Sequence, residues 1–343
     1  MKNQIILSIY LLILLGCRNK EIDSLGDFEQ NRELTGKRLS ISPNSFVYPN
    51  KIMELDSFLI VEDSDKNKHF RIVDLRNMSV KLVGTMGNGP GELTFPTSIQ
   101  KIPRSNSLGL FIRPKFIFAQ ISLNDLINDR LDYFDSNNRF DINHQKLIKV
   151  NDSVFVGIGL FNKRYALSDG MHKLINTQND YPFATELKYQ PLEVIGMAYQ
   201  GDIDVKPDGT KIIISSEYSI NLQISKIDGY TIIPEKTIDL TFPQFKAGEG
   251  NVISTTMSKD NIRGFLDVSV TNNLIFLLYS GKAQSNSVGS AIVYVFSWNG
   301  DPKYKFLLDR EVVCIAASSD EKYLYAVEYG KEPFVTVFDL EME

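Results

Sequence analysis

Six short apolar runs recur along the chain, each preceded by a polar turn. They are Phe58 to Val61, Leu108 to Ile112, Val154 to Ile158, Ile212 to Ile214, Leu274 to Leu278 and Tyr323 to Val327. The residues just ahead of them are Ser57, Ser107, Ser153, Lys211, Asn273 and Lys322, which stand 46 to 62 residues apart. The runs are too short for helices and rich in β-branched and aromatic side chains, as strands are. They lack the apolar–polar alternation of a half-exposed strand, so each is expected to be covered on both faces. A repeat of this length, built from short strands and polar turns, predicts an all-β fold. The expected form is a six-bladed β-propeller with one four-stranded antiparallel blade per repeat.

Blade one reads in full: Asn50 to Leu55, Phe58 to Glu62, His69 to Asp74 and Val80 to Gly84. Blade six supplies Val312 to Ala316, Tyr323 to Glu328 and Phe334 to Asp339, and then lacks an outer strand. Lys37 to Ser42 precedes blade one and belongs to no blade, so it is expected to close the last one and cover its edge. Asn179 to Ile195 and Thr241 to Gly264 read as long connections, the second with a short helix within Met257 to Ile262. Asp202 and Asp204 alternate with Ile203 and Val205 and so share a strand face, ahead of a hairpin turn at Asp208-Gly209.

Composition narrows the function classes. The chain has 343 residues, 43% hydrophobic and 23% charged, with a net charge of −5. Its Lys and Arg residues form no basic stripe, so nucleic acid is not an expected partner. No His or Cys pair has the spacing of a zinc site. Cys314 lies inside an expected inner strand and reads as a small buried thiol. No cofactor is expected; calcium is the metal that an oxygen-rich set would take.

The N-terminus reads as an address. A basic start and the apolar stretch Ile5 to Leu15 suit a signal peptide over residues 1–16 and are too short to span a bilayer. Leu14-Leu15-Gly16-Cys17 resembles the bacterial lipobox, which implies acylation at Cys17. Residues 17–35 then read as a polar tether and 36–343 as the propeller. The implied place is the cell envelope, at the periplasmic or surface face of the outer membrane, with the acyl chains in the bilayer. Lys20-Glu21 and Asp23 resemble the export signal of surface lipoproteins.

Gly87-Asn88-Gly89-Pro90-Gly91-Glu92-Leu93 matches a turn common after the first blade in one family. With the closing pattern Tyr323 to Val327 and Val337-Phe338-Asp339, the chain over Ser45 to Leu340 resembles the TolB-like six-bladed propeller lipoproteins of Bacteroidetes. The resemblance implies the fold and brings no catalytic residues. Read alone, the heptapeptide is a shaped turn rather than a phosphate cradle, because no helix and no Lys-Ser/Thr pair follow it.

In a propeller the ends of the second strands share one face. That nominates Asp63, Arg113, Glu217, Tyr279, Glu328 and the adjacent Tyr329 as a ring of ligand-binding residues. Carboxylates accept hydroxyl hydrogen bonds and tyrosine faces stack on sugars. No catalytic constellation is present; in particular no Gly-x-Ser-x-Gly elbow occurs. The expected role is a non-enzymatic binding or scaffold protein that presents loops to a protein or glycan partner. The alternative is a calcium-assisted hydrolase or lyase at the channel mouth.

Overall fold

The computed structural model describes residues 25–42, 45–65, 67–131, 139–248, 254–286, 288–328 and 330–342. The signal segment, Cys17 and Tyr329 lie outside the described residues.

Two short strands come first, β1 (Gln30–Leu34) and β2 (Lys37–Arg38). An antiparallel sheet follows, with β3 (Pro49–Leu55), β4 (Phe58–Asp65), β5 (Lys68–Asp74) and β6 (Ser79–Thr85). The next holds β7 (Pro96–Lys101), β8 (Ser107–Ile112) and β9 (Ile117–Ser122), after which comes the short helix α1 (Leu123–Ile127). A third sheet is β10 (His144–Asn151), β11 (Val154–Gly159), β12 (Tyr165–Asp169) and β13 (Leu174–Gln178). Helix α2 (Leu192–Ala198) leads to a fourth, β14 (Gly201–Val205), β15 (Lys211–Ser216), β16 (Asn221–Asp228) and β17 (Thr231–Asp239). A small hairpin, β18 (Phe245–Ala247) and β19 (Thr255–Met257), separates it from β20 (Phe265–Val270), β21 (Leu274–Tyr279) and β22 (Ser290–Ser297). The last strands are β23 (Pro302–Ala317), β24 (Tyr323–Glu328) and β25 (Val335–Asp339).

Each of the six apolar runs is a strand paired with the one just before it, the last two within one continuous sheet of β20 to β25 and β2, and β8 and β11 are buried at every position. Alternate residues feed different cores. Ile60 packs with Leu108, Leu110 and Ile112 of the following sheet, whereas Leu59 and Val61 pack with Cys314, Ala316 and Val327 at the far end of the chain. Ile213 faces β20 to β22, and Ile212 and Ile214 face β10 to β12. Each such side chain taken fully from water contributes about 1.5–3 kcal/mol. The first strands touch in series, β3 to β7, β7 to β10, β10 to β14, β14 to β20, β20 to β23, and β23 back to β3.

β23 joins the two halves of this continuous sheet. Pro302 to Leu307 pairs with β22, and Cys314 to Ala317 pairs with β24. The N-terminal segment closes the last sheet as expected, with Lys37 opposite Val337 and Arg38 opposite Thr336. The ladder ends early, because after Leu39 donates to the Val335 carbonyl (2.9 Å) the Ile41 amide turns to the Leu39 carbonyl.

Three features depart from the sequence reading. Part of the expected tether is docked: β1 runs parallel to Tyr304–Leu308, Leu25 is buried, and Phe28 stacks on Tyr294 at 4.8 Å. Its apolar residues are too sparse to show a period, and tertiary contacts alone order it. The helix expected within Met257 to Ile262 is instead the end of the β18–β19 hairpin and a turn. There Phe245 and Met257 pack on Tyr181 and Tyr199. Conversely, α2 begins inside the expected loop Asn179 to Ile195.

Glu328 on β24 clamps the closing strand. Its carboxylate accepts from Arg38 Nε (2.9 and 3.1 Å), from Arg310 Nη1 (2.8 Å) and from the Thr336 hydroxyl. Burial pushes the group up, but these hydrogen bonds outweigh it and hold the pKa at about 2. Replacing Glu328 with Ala leaves two guanidinium groups without their shared acceptor. The expected loss is about 2–3 kcal/mol at pH 7, read by urea unfolding. Because the folded pKa is depressed, the wild-type advantage is present above about pH 4.5 and fades as pH falls toward 2.

Candidate functional site: a charged channel between the first strands

The first strands carry charged side chains at positions that alternate with apolar ones. Gly201, Ile203 and Val205 of β14 are buried in the packing, while Asp202 and Asp204 point the other way. Lys51 on β3, Lys146 on β10 and Asp267 on β20 join them. Two adjoining cavities lie between these strands. The inner chamber, about 230 Å³, is lined by the early residues of the strands: Lys51, Thr97, Lys146, Asp202 and Asp267, with Glu62 from β4. The other, about 390 Å³, is lined by the late residues, among them Glu54, Lys101, Val270 and Ala317. Early residues at one end and late residues at the other mean that the first strands run the same way along a common channel. The sheet-to-sheet connections therefore arrive at the inner chamber's end, here termed the connection face. The tight turns between first and second strands lie at the opposite, turn face.

Lys51 ties the channel together. Its Nζ donates to Asp267, to Asp202 Oδ2 (3.4 Å) and to the Val268 carbonyl (3.0 Å). Lys146 Nζ donates to the other oxygen of Asp202. Asp267 also accepts the Ile315 amide (2.7 Å), which links β20 to β23. Burial opposes the charge on Lys51, yet Asp202 and Asp267 raise its pKa above the ordinary value. Burial likewise opposes ionisation of Asp202, but the two ammonium groups hold it low. Asp267 is raised, chiefly by burial.

Two carboxylates have no cation of their own. Glu62 makes no hydrogen bond or ion pair among the described residues, and burial pushes it up to about 7 against the pull of Lys146 and Lys51. Asp204 accepts only its neighbour's amide, Val205 N (2.8 Å), and burial pushes it to about 7 as well. Among the described residues no group of three or more His, Cys, Asp or Glu side chains is arranged to hold a metal ion. The Lys51 ammonium fills the space between Asp202 and Asp267, so these donors do not fit calcium.

The residues nominated from the second-strand ends lie elsewhere. Asp63 is buried, accepts the amides of Val47 and Tyr48, and pairs with Arg71. Glu217 pairs with Arg263. Tyr279 is buried against Phe265 and Tyr294. Arg113 is exposed in the β8–β9 connection. Glu328 is the clamp described above. The chamber linings are drawn from other residues, most of them on the first strands. The expected hairpin turn at Asp208-Gly209 is present, with Gly209 at φ +72°. In the heptapeptide, Glu92 accepts the Gly89 amide at 2.8 Å. A Cβ on Gly87 would lie 2.0 Å from that carboxylate, so the glycine makes room for it.

A family model described as TolB-like 6-blade propeller-like matches residues 27–320. The chain belongs to that family. Among solved structures, this propeller chain is similar to a member of the duf4221 family from Bacteroides vulgatus, at 11% identity and a TM-score of 0.55, over 90% of this chain and 96% of that one. It is also similar to a candidate exported protein from Bacteroides fragilis, at 13% identity and a TM-score of 0.54, over 89% and 94%. No curated protein matches it. The family and these neighbours fix a propeller-like all-β fold.

The unpaired carboxylates give a pH signature. A raised folded pKa stabilises the fold below the unfolded value of about 4 and loses that contribution as pH rises through 7. Glu62→Gln and Asp204→Asn are each expected to be more stable than the wild type at pH 8, by about 1–3 kcal/mol, with the difference vanishing near pH 4. Thermal unfolding across that range checks it.

Proposed function

We propose that this protein is a lipid-anchored, non-enzymatic binding propeller of the cell envelope, which presents its connection face to a protein or glycan partner. In this reading the chain forms a closed six-bladed ring. The series of first-strand contacts that returns from β23 to β3 supports it, as does the shared strand β23 and the closing strand β2. The observation that carries the binding role is a set of exposed apolar side chains at the connection face. Tyr48, Phe95, Ile142 and Tyr189 are between 71% and 88% exposed and all precede first strands, whereas Met171, in the β12–β13 turn, is the one large apolar side chain as open at the turn face among the described residues. Exposed apolar and aromatic side chains on one face mark an interaction surface. Arg113 lies in a loop of the same face. Among the described residues that line the two chambers, no nucleophile, base and oriented third group come together.

The anchor at Cys17 rests on the sequence. Among the described residues no helix is long and apolar enough to cross a membrane. The name of the Bacteroides fragilis neighbour agrees with an address outside the cytoplasm. The docked N-terminal segment also suits an anchor. Gly26 lies against Pro302, at the turn between β22 and β23 on the turn face. The stretch from Cys17 to Leu25 reaches at most ~30 Å, so an acylated Cys17 holds the turn face toward the bilayer and the connection face away from it.

Metabolic labelling with a palmitate analogue is expected to mark the wild type and leave Cys17→Ser unlabelled and released from membranes. Labelling of Cys17→Ser would reject the anchor. Chemical cross-linking in intact cells is expected to capture a partner that Tyr48→Ser/Phe95→Ser/Tyr189→Ser loses while keeping its thermal stability. Capture unchanged by the triple variant would reject the connection face as the docking surface.

A further inference from the structure

The inner chamber carries a charge imbalance that identifies its ligand. Four carboxylates line it, Glu62, Asp202, Asp204 and Asp267, against two ammonium groups, Lys51 and Lys146. Both lysines are spent on Asp202 and Asp267. Glu62 and Asp204 come from different sheets and line the same space, and neither forms a hydrogen bond or ion pair with Lys51 or Lys146. The chamber is also incompletely satisfied in a second way. The Thr97 hydroxyl on its wall is buried and has no hydrogen-bond partner. At about 230 Å³ the space would hold roughly eight waters at ~30 Å³ each, enough for an ammonium group and the carbon chain or ring that bears it.

We infer that the inner chamber is a binding site for a primary ammonium group, which enters from the connection face and sits between Glu62 and Asp204. The inference deepens the binding role proposed above by naming the ligand class of the same channel. An ammonium group has three donors and no acceptor, which matches two carboxylates and the Thr97 hydroxyl oxygen. An anion fits poorly, because neither lysine has charge left unpaired. A neutral polyol could use the same acceptors but would leave the charge imbalance in place.

Protons on the buried carboxyls offset the chamber's charge imbalance. Burial holds Glu62 and Asp204 near pKa 7. Glu62 faces Lys51, Lys146 and Asp202, and Asp204 faces Lys51, Asp202 and Asp267. An arriving cation favours the ionised carboxylates, so binding releases protons below pH 7. No covalent step is involved. Affinity must then rise with pH up to about 7 and level off above it.

Two ammonium sources share this chemistry, an amino sugar and a lysine side chain, and two pairs of probes separate them. These are glucosamine with N-acetylglucosamine, and Nα-acetyl-lysine amide with its Nε-acetylated counterpart. Titration calorimetry on the propeller at pH 6, 7 and 8 is expected to show binding by the charged member of at least one pair. Affinity should rise several-fold from pH 6 to 7 and little from 7 to 8, with proton release at pH 6 read from buffers of different ionisation enthalpy. Glu62→Gln and Asp204→Asn are each expected to weaken binding at least tenfold, and their double variant to remove the pH dependence, with folding checked by circular dichroism. Equal binding by the acetylated probes, binding without pH dependence, or no binding by either charged probe to folded wild type overturns the inference. The partner capture by the aromatic face is measured separately, so its survival in Glu62→Gln/Asp204→Asn would show that only the chamber assignment had failed.

Discussion

The Lys51 ammonium is the interaction on which the interior of this molecule depends. It stands on the first strand of the first sheet and reaches carboxylates on β14 and β20, more than 150 residues away in sequence. A buried carboxylate that lost its cation would have to take up a proton or water, and breaking such a pair is far more costly than forming it is favourable. The channel therefore holds its charges in a fixed arrangement. Asp202 is shared by Lys51 and Lys146, and Asp267 is shared by Lys51 and the Ile315 amide. Side chains from four first strands, and a backbone amide of β23, are fixed relative to one another by this network.

Around that axis the stability is mostly apolar. Second strands buried on both faces send alternate residues into different cores, so no sheet can be removed without uncovering two neighbours. The edges of the last sheets are covered by chain from the beginning of the sequence, β1 along one half of β23 and β2 along β25. Edge coverage of this kind removes the unpaired amides and carbonyls that would otherwise invite association. It also links the two ends of the chain through Glu328, Arg38 and Arg310, so the segment leading to the N-terminus is held against the body of the fold.

The strands were legible because their pattern is local. The apolar runs and their polar turns carry the period, and the four strands of the first sheet lie within a few residues of where Asn50 to Gly84 puts them. The closing strand was legible because the last sheet was one strand short. The site was legible only in part. Asp202 and Asp204 announce a shared strand face by alternation, but Lys51, Lys146 and Asp267 are single charged residues on separate strands, and nothing local says that they meet. The strand-end residues lie outside the chamber linings for a physical reason. Second strands lie one layer out from the channel, and a carboxylate buried there is satisfied by its own sheet's neighbours, as Asp63 is by Arg71 and the Val47 and Tyr48 amides. The docked segment from Leu25 to Leu34 was not legible, because it is ordered by contacts with residues near 300 rather than by any period of its own.

The most direct measurement of this account is the urea unfolding of Lys51→Met beside Lys51→Met/Asp202→Asn/Asp267→Asn at pH 7. If the ammonium holds the channel together, the single variant loses about 3 kcal/mol or more and the triple recovers part of it, because neutral amides no longer need a cation while Lys146 loses its pair with Asp202. A single variant as stable as the wild type, or a triple no better than the single, would mean that the charged axis does not organise the fold.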